Sequence, residues 1–441
     1  MTIPLSLLCN NWFVAALSKD LRQKPLSRKI LGLPLVLFRS GEDVAVLLDR
    51  CPHRNVPLSY GIVEGGSVRC SYHGWRFDAR GICREIPGLA QPRRAEPELA
   101  EPGLLEPGLP ASEAESELAD SGLDESGLAA SVAESSPARA EPGLRTSGLV
   151  KSVLAQSRQS AELLGVAEDD HQGCPARNAT PFLAKELDGL IWVWVPETAF
   201  QSAGTLLSPH ALYQTSQAVQ NRPALNLPKV RYPALRQSAF HSFLWTASAN
   251  SHFVDGLENL LDATHPAFVH SLLVRTNRRQ QIGVQVRRNE EQVEAIYSEN
   301  SRPEALIPRI FEGVRTESIG RYFPPTTAQL EYRGKNGPRF ILTAMFTPVD
   351  EKTCKIYAFV STPRGLCPGF LKEMILKLVF GVVLKQDLRI LHRQSENIER
   401  FGAPRFVSTP VDVMRPHILY FLQRNTAATT PPFEKALSLE L

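Results

Sequence analysis

The chain has 441 residues, 43% hydrophobic and 22% charged, which suits a folded protein with a sizeable core and room for two or three domains. Its seven cysteines are too few for a disulfide-stapled secreted scaffold. No signal peptide is expected at the N-terminus, and the longest apolar run, residues 370–384, is too short and too charged to span a bilayer, so the expected location is cytoplasmic.

The formal net charge of +3 hides an asymmetry. Residues 95–141 hold 12 acids and a single base, Arg139; taking them from the totals of 46 acids and 49 bases leaves 34 and 48, a net of +14. A basic body can steer in an acidic electron-carrier protein. It has no basic run interleaved with aromatics of the kind a nucleic-acid binder needs.

In chain order, residues 10–90 read as β-rich. LPLVLFR (33–39) and VAVLLDR (44–50) are short apolar runs separated by SGED, a hairpin signal. Residues 92–175 then lose their aromatics and repeat a simple unit. EPGL occurs at 101 and 106, DSGL and ESGL at 120 and 125, EPGL and TSGL at 141 and 146. One Leu per unit buries too little apolar surface to offset chain entropy, so this stretch reads as a disordered insertion. Order is expected to resume at FLAKELDGLIWVWVPE (182–197), whose LIWVWV is a buried-strand pattern. Beyond it, strands are expected at 339–349 and 355–363, and helices at 255–271 and about 368–398.

Two constellations carry chemistry. Cys51 and His53 form a C-x-H, and after sixteen intervening residues Cys70 and His73 form a C-x-x-H, followed by Gly74 and Trp75. Each loop offers one thiolate and one imidazole. That division suits a [2Fe–2S] cluster with two thiolates on one iron and two imidazoles on the other better than a zinc knuckle, in which one turn supplies two like ligands.

The second is Glu-Asn-Leu-Leu-Asp-Ala-Thr-His-Pro-Ala-Phe-Val-His at 258–270. Asp262 and His265 are three apart and would share a helix face. His265 and His270 are five apart, about 140° on an ideal helix, so a widened turn near Pro266 is expected to bring them together. His252 and Asp255 precede the block and could reach the same pocket. A third ligand must come from elsewhere, with Asp387, Glu396, Glu399 and Asp412 as candidates.

On these residues the chain resembles the Rieske non-haem iron oxygenases. Cys51, His53, Cys70 and His73 match the cluster motif. Val56 and Tyr72 stand where respiratory Rieske proteins carry an extra cysteine pair, so the resemblance is not to those. Asn259, Asp262, His265 and His270 match the family's N-x-x-D-x-x-H-x-x-x-x-H signature, with the spacing of the vanillate and dicamba O-demethylase branch. Gln386-Asp387, with Leu391 beyond, resembles its Q-D-x-x-x-L segment and makes Asp387 the expected third ligand.

The resemblance implies an α+β protein. An all-β Rieske domain (1–91 and 176–197), interrupted by the 92–175 insertion, would precede a catalytic domain (198–441) with an antiparallel sheet and helices, helix-grip or START-like. It implies one Rieske [2Fe–2S] cluster and one mononuclear Fe(II) per subunit. A ferredoxin or flavin-dependent reductase would supply electrons, and O2 and a small aromatic or polycyclic substrate would react. The assembly would be a homotrimer in which Asp262 bridges to His73 of the neighbouring protomer. Monooxygenation is the expected outcome, as hydroxylation or O-demethylation, and residues 272–345 are expected to line the pocket. The alternatives are a ring-hydroxylating dioxygenase, an enzyme like the chlorophyllide and pheophorbide oxygenases, and a Rieske electron carrier without oxygen chemistry.

Overall fold

The computed structural model describes residues 3–89, 175–200, 239–275, 281–298, 305, 314–423 and 432–440. The expected disordered insertion, 92–175, lies outside them apart from Pro175.

The N-terminal half is built from short antiparallel strands. They are β1 (Asn11–Leu17), β2 (Leu26–Ile30), β3 (Leu33–Ser40), β4 (Asp43–Leu48), β5 (Ile62–Glu64), β6 (Ser67–Arg69), β7 (Arg76–Phe77), β8 (Cys83–Glu85), β9 (Pro181–Phe182), β10 (Ala184–Leu187) and β11 (Leu190–Val195). They form three small sheets ordered β1-β11-β10, β2-β3-β4-β9 and β5-β6-β7-β8. The SGED hairpin forms as expected, with Ser40 opposite Asp43.

The chain on either side of the 92–175 segment rejoins the same sheets. LIWVWV pairs with β1 from Leu17–Leu190 to Asn11–Val195, and Phe182 pairs with Val46. Beside them, Ala179 N–H donates to Gly81 C=O at 2.8 Å, and Cys83 N–H donates to Asn178 Oδ1 at 2.9 Å. This approach needs a glycine: Gly81 has φ +78°, and a Cβ there would lie 2.0 Å from the Ala179 carbonyl oxygen.

The C-terminal half contains one eight-stranded antiparallel sheet. Its strands are β12 (Phe240–Ala249), β13 (Gln281–Arg288), β14 (Val293–Ser298), β15 (Glu317–Phe323), β16 (Thr327–Gly334), β17 (Gly337–Pro348), β18 (Cys354–Pro363) and β19 (Phe433–Glu440). Their order is β12-β18-β17-β16-β15-β14-β13-β19. Helix α1 (Phe253–Leu261) packs on β15, β16 and β17. A one-turn helix α2 (Pro266–Val269) follows. The 33-residue α3 (Gly369–Phe401) packs against β12 and α1, and α4 (Arg415–Gln423) against α1. No helix among the described residues is long and apolar enough to cross a membrane.

The expected single helix over 255–271 is a correction. The helix stops at Leu261, and Asp262 is extended, with ψ 131°. Asp262, Ala263 and Thr264 are a break, not a widened turn, so Asp262 and His265 do not share a helix face.

The two halves share one apolar core. Leu8, Phe13, Leu35 and Val193 belong to the same buried cluster as Phe253, Leu257, Ala295 and Tyr322. Tyr357 Oη donates to Ala15 C=O at 2.5 Å and Thr347 Oγ1 to Val14 C=O at 2.7 Å, tying β1 to β17 and β18. Under α1 lies a buried charge group. Arg415, 6% exposed, bonds Glu258 and lies 3.6 Å from Asp255. Burial raises both carboxyl pKa values, and the guanidinium opposes that rise.

The close approach at Gly81 generates a prediction. Gly81→Ala should lower stability by about 1–3 kcal/mol, because a side chain at positive φ adds strain to a backbone clash. Urea unfolding would measure it, and an unchanged midpoint would refute the packing described.

Candidate active site

The two cysteine–histidine loops are built alike. Cys51 N–H donates to Val56 C=O and Cys70 N–H to Trp75 C=O, each closing a six-residue turn. Inside each turn the residue four past the cysteine donates back to it, Asn55 to Cys51 and Gly74 to Cys70. Those two residues are the left-handed ones, with φ of 63° and 74°. A repeated backbone turn thus presents one Cys and one His from each loop.

Cys51 and Cys70 are buried, whereas His73 and the neighbouring Tyr72 are exposed. The His53 and His73 rings lie 4.5 Å apart, and Trp75 stacks on His53 at 4.6 Å with a 7° interplanar angle. His53 Nδ1 is buried with no hydrogen-bond partner. Burial pushes the Cys51 thiol up to about 12, against N–H donors from His53 and Arg54 that lower it. A buried orphan nitrogen beside buried thiols fits a metal centre that would use the nitrogen and hold the sulfurs as thiolates. Among the described residues, only His265, His270 and Asp387 bring three such donor atoms within 4.8 Å of one another. Two thiols and two imidazoles, one of each from either loop, are the donor set of a two-iron cluster with two thiolates on one iron and two imidazoles on the other.

In that trio, Asp387 Oδ1 lies 2.9 Å from His270 Nε2 and 3.5 Å from His265 Nε2. Each imidazole is oriented from behind. His270 Nδ1 lies 2.8 Å from Gln386 Oε1, and His265 Nδ1 lies 3.2 Å from Asp262 Oδ2. With Nδ1 protonated and held, Nε2 of each ring is left to ligate. Asn259 Nδ2 approaches Asp387 Oδ1 at 3.4 Å.

The Asp262 carboxylate also accepts from Thr264 N–H at 2.9 Å, Thr264 Oγ1 at 2.8 Å and His265 N–H at 3.0 Å. Burial alone would lower the His265 pKa, but Asp262 and Asp387 outweigh it and hold the group at about 9. Burial likewise works against ionised Asp387, and the two imidazoles still pull its pKa below the ordinary value. Two imidazoles and a carboxylate with room for further ligands are the donor set of a non-haem Fe(II) site.

The other candidates do not join this group. His252 caps α1, taking Val254 N–H on Nδ1 at 3.4 Å, with Nε2 3.3 Å from Ile3 C=O. Asp255 belongs to the Arg415 group. Glu396 pairs with His392, Glu399 with Lys352, and Asp412 accepts from Thr409. Gln386 had no assigned role from sequence. Its signal was a polar residue beside Asp387 on a helix whose Val383, Leu384, Leu388 and Leu391 line the cavity.

The trio borders an apolar cavity of about 210 Å³. The expected 272–345 stretch supplies part of its lining, including Tyr297, Arg315, Tyr332 and Phe340. Much of the rest comes from β12, α1, β18 and α3, as with Trp245, Leu260, Ala358 and Phe380. A second, polar cavity on the far side of Asn259 and Asp262 is lined by Glu258, Gln394 and Asp412.

Residues 11–102 match the Rieske [2Fe-2S] domain, and residues 249–434 match the vanillate O-demethylase oxygenase C-terminal domain. Among curated relatives, the oxygenase component of dicamba O-demethylase from Stenotrophomonas maltophilia is 52% identical over 79 residues, covering 18% of this chain and 23% of that protein. A putative toluene-4-sulfonate monooxygenase iron-sulfur subunit, TsaM2, from Comamonas testosteroni is 50% identical over 86 residues, 19% of this chain and 25% of that protein. The chain thus aligns with a quarter or less of the length of these relatives. The fold is that of dicamba monooxygenase bound to dicamba, with a TM-score of 0.59 at 20% identity, over 94% of this chain and 98% of that one.

The Gln386 contact generates a prediction. Gln386→Leu removes the acceptor that orients His270 and should weaken Fe(II) binding about 10–100-fold with the fold intact. Metal titration of iron-free protein, checked by circular dichroism, would measure it. Unchanged affinity would show that His270 needs no such support.

Proposed function

From a chain that joins a Rieske [2Fe–2S] domain to an oxygenase C-terminal domain of the vanillate O-demethylase type, the pairing of the Rieske non-haem iron oxygenases, we propose the terminal oxygenase of a multicomponent system. It monooxygenates an aromatic compound, by hydroxylation or O-demethylation. The observation that carries this is the His265–His270–Asp387 trio at the edge of an apolar cavity. An electron carrier has no use for such a site.

Cys51, His53, Cys70 and His73 would hold the cluster, and His265, His270 and Asp387 the iron. Bound there, the two groups would supply electron relay and oxygen activation. The chain's own residues do the rest. Asp262 and Gln386 fix the imidazoles, and Asn259 steadies Asp387. The apolar wall excludes water from the reacting methyl or ring carbon. O-demethylation consumes the methyl ether, one O2, two electrons and two protons, and yields the free hydroxyl, formaldehyde and water.

Electrons would arrive from a ferredoxin or flavin-dependent reductase. The working assembly we propose is a cytoplasmic homotrimer in which His73, exposed at the loop edge, meets Asp262 of the neighbouring protomer. The Asp262–His265 bond supports that role, since it already joins the carboxylate to one imidazole.

EPR of anaerobic, dithionite-reduced protein tests the assignment. The expected result is a Rieske-type cluster signal, joined on adding nitric oxide by a high-spin iron–nitrosyl signal. A cluster signal without a nitrosyl signal, in protein supplied with Fe(II), would leave only an electron carrier. Asp262→Asn should keep both metal signals yet slow turnover by at least about tenfold; full activity would remove Asp262 from the electron path.

A further inference from the structure

Helix α3 carries more apolar surface than the two sites use. Of its 33 residues only Leu376 and Leu391 are buried. Phe380, Val383, Leu384 and Leu388 turn one side of it to the apolar cavity. Phe370, Met374, Leu378 and Val382 recur every four residues, which sets them in one stripe along another side.

That stripe is open. Phe370 is 76% exposed, Met374 61% and Leu378 75%, and Leu366, in the loop just before the helix, stands wholly in solvent. A contiguous apolar surface of this kind marks a place where something docks.

Its surroundings are basic. Lys385, Arg389 and Arg393 continue along the same side of α3 where the apolar residues stop. All three are exposed, and none has an ion-pair partner among the described residues. Arg364, also exposed, stands two residues before Leu366. Lys335 and Arg339, both exposed, flank the β16–β17 turn next to Phe340, whose ring stacks on Phe380 of α3 at 5.0 Å. Between Gly369 and Arg393 the acids are Glu373 and Asp387; the first pairs with Lys377 at 2.6 Å, and the second belongs to the trio.

We propose that this side of α3 docks on an anionic lipid surface. Leu366, Phe370, Met374 and Leu378 enter the boundary of the acyl chains, and the basic groups around them meet phosphate headgroups. The proposal goes beyond the oxygenase reading and does not depend on it. Charge complementarity selects the occupant: cations grouped around an apolar stripe match a bilayer that is negative at its surface and apolar beneath. A second copy of the chain fits poorly, because a two-fold contact would bring the same basic excess to both sides. Helix α3 is not apolar all round, and no described helix could cross a bilayer, so the contact is peripheral.

The test mixes cluster- and iron-loaded protein with vesicles of phosphatidylcholine alone, or of phosphatidylcholine and phosphatidylglycerol in equal parts, and sediments them. Partitioning onto the mixed vesicles should be at least about tenfold stronger than onto the neutral ones, and should weaken at high salt. The pair Phe370→Ser and Leu378→Ser should lower it at least about tenfold. The pair Arg389→Glu and Arg393→Glu should remove the preference for anionic lipid. Circular dichroism checks that both variants fold.

No sedimentation with either vesicle, equal partitioning onto both, or binding that survives both pairs of substitutions in folded protein would overturn the proposal. So would sedimentation velocity without lipid in which the Phe370/Leu378 pair breaks a self-association of the parent chain, since the stripe would then be covered by a second copy.

Discussion

The Asp262 carboxylate ends one helix and aims the residue that starts the next. It accepts hydrogen bonds from Thr264 N–H, the Thr264 hydroxyl, His265 N–H and the His265 imidazole. The first three hold the backbone in the break after α1. The fourth holds the ring, so that Nε2 faces Asp387 across the cavity edge. A continuous helix would carry His265 and His270 about 140° apart. The break lets both reach one carboxylate. Arg275 reinforces it, donating to Ala263 C=O at 3.1 Å.

That dependence explains which parts of the molecule were legible in the sequence. The cluster loops were legible because each is a closed local turn: Cys51 to Val56 and Cys70 to Trp75 contain their own hydrogen bonds, and spacing alone carries the geometry. The strands and the long helix α3 followed from apolar runs and periodicity. The structure brings His265 and His270 of the 258–270 block to Asp387, on a backbone that the periodicity did not anticipate. The block's helical periodicity was real up to Leu261, and only the side-chain capping by Asp262 shows where it stops. The role of Gln386, which the Q-D-x-x-x-L match includes, was illegible for another reason. Its partner, His270, lies 116 residues away, and no local rule marks a glutamine as the acceptor for a distant imidazole.

The folded body also explains how the two metal-binding regions are held. They share one buried core, and the backbone of β1 accepts hydrogen bonds from Tyr357 and Thr347 of the large sheet. Movement of one half against the other would break those bonds and open apolar surface. The cluster loops are thus a fixed, outward-facing edge with His73 exposed. Electron exchange at that edge needs a second surface to come to it, and a rigid edge favours docking without rearrangement.

The division of polarity around α1 completes the argument. One side of the helix faces an apolar cavity. The other faces a polar cavity lined by Glu258, Gln394 and Asp412. Asn259 and Asp262 border both. Oxygen chemistry consumes protons, yet its substrate side gains from excluding water. A helix with an apolar face toward the substrate and a carboxylate-lined face behind it meets both demands, because polar groups can remain hydrated within one residue of the dry cavity. Arg415 makes this arrangement stable. Without its charge, buried Asp255 and half-buried Glu258 would be an unneutralised pair on the helix that carries Asn259 and ends at Asp262.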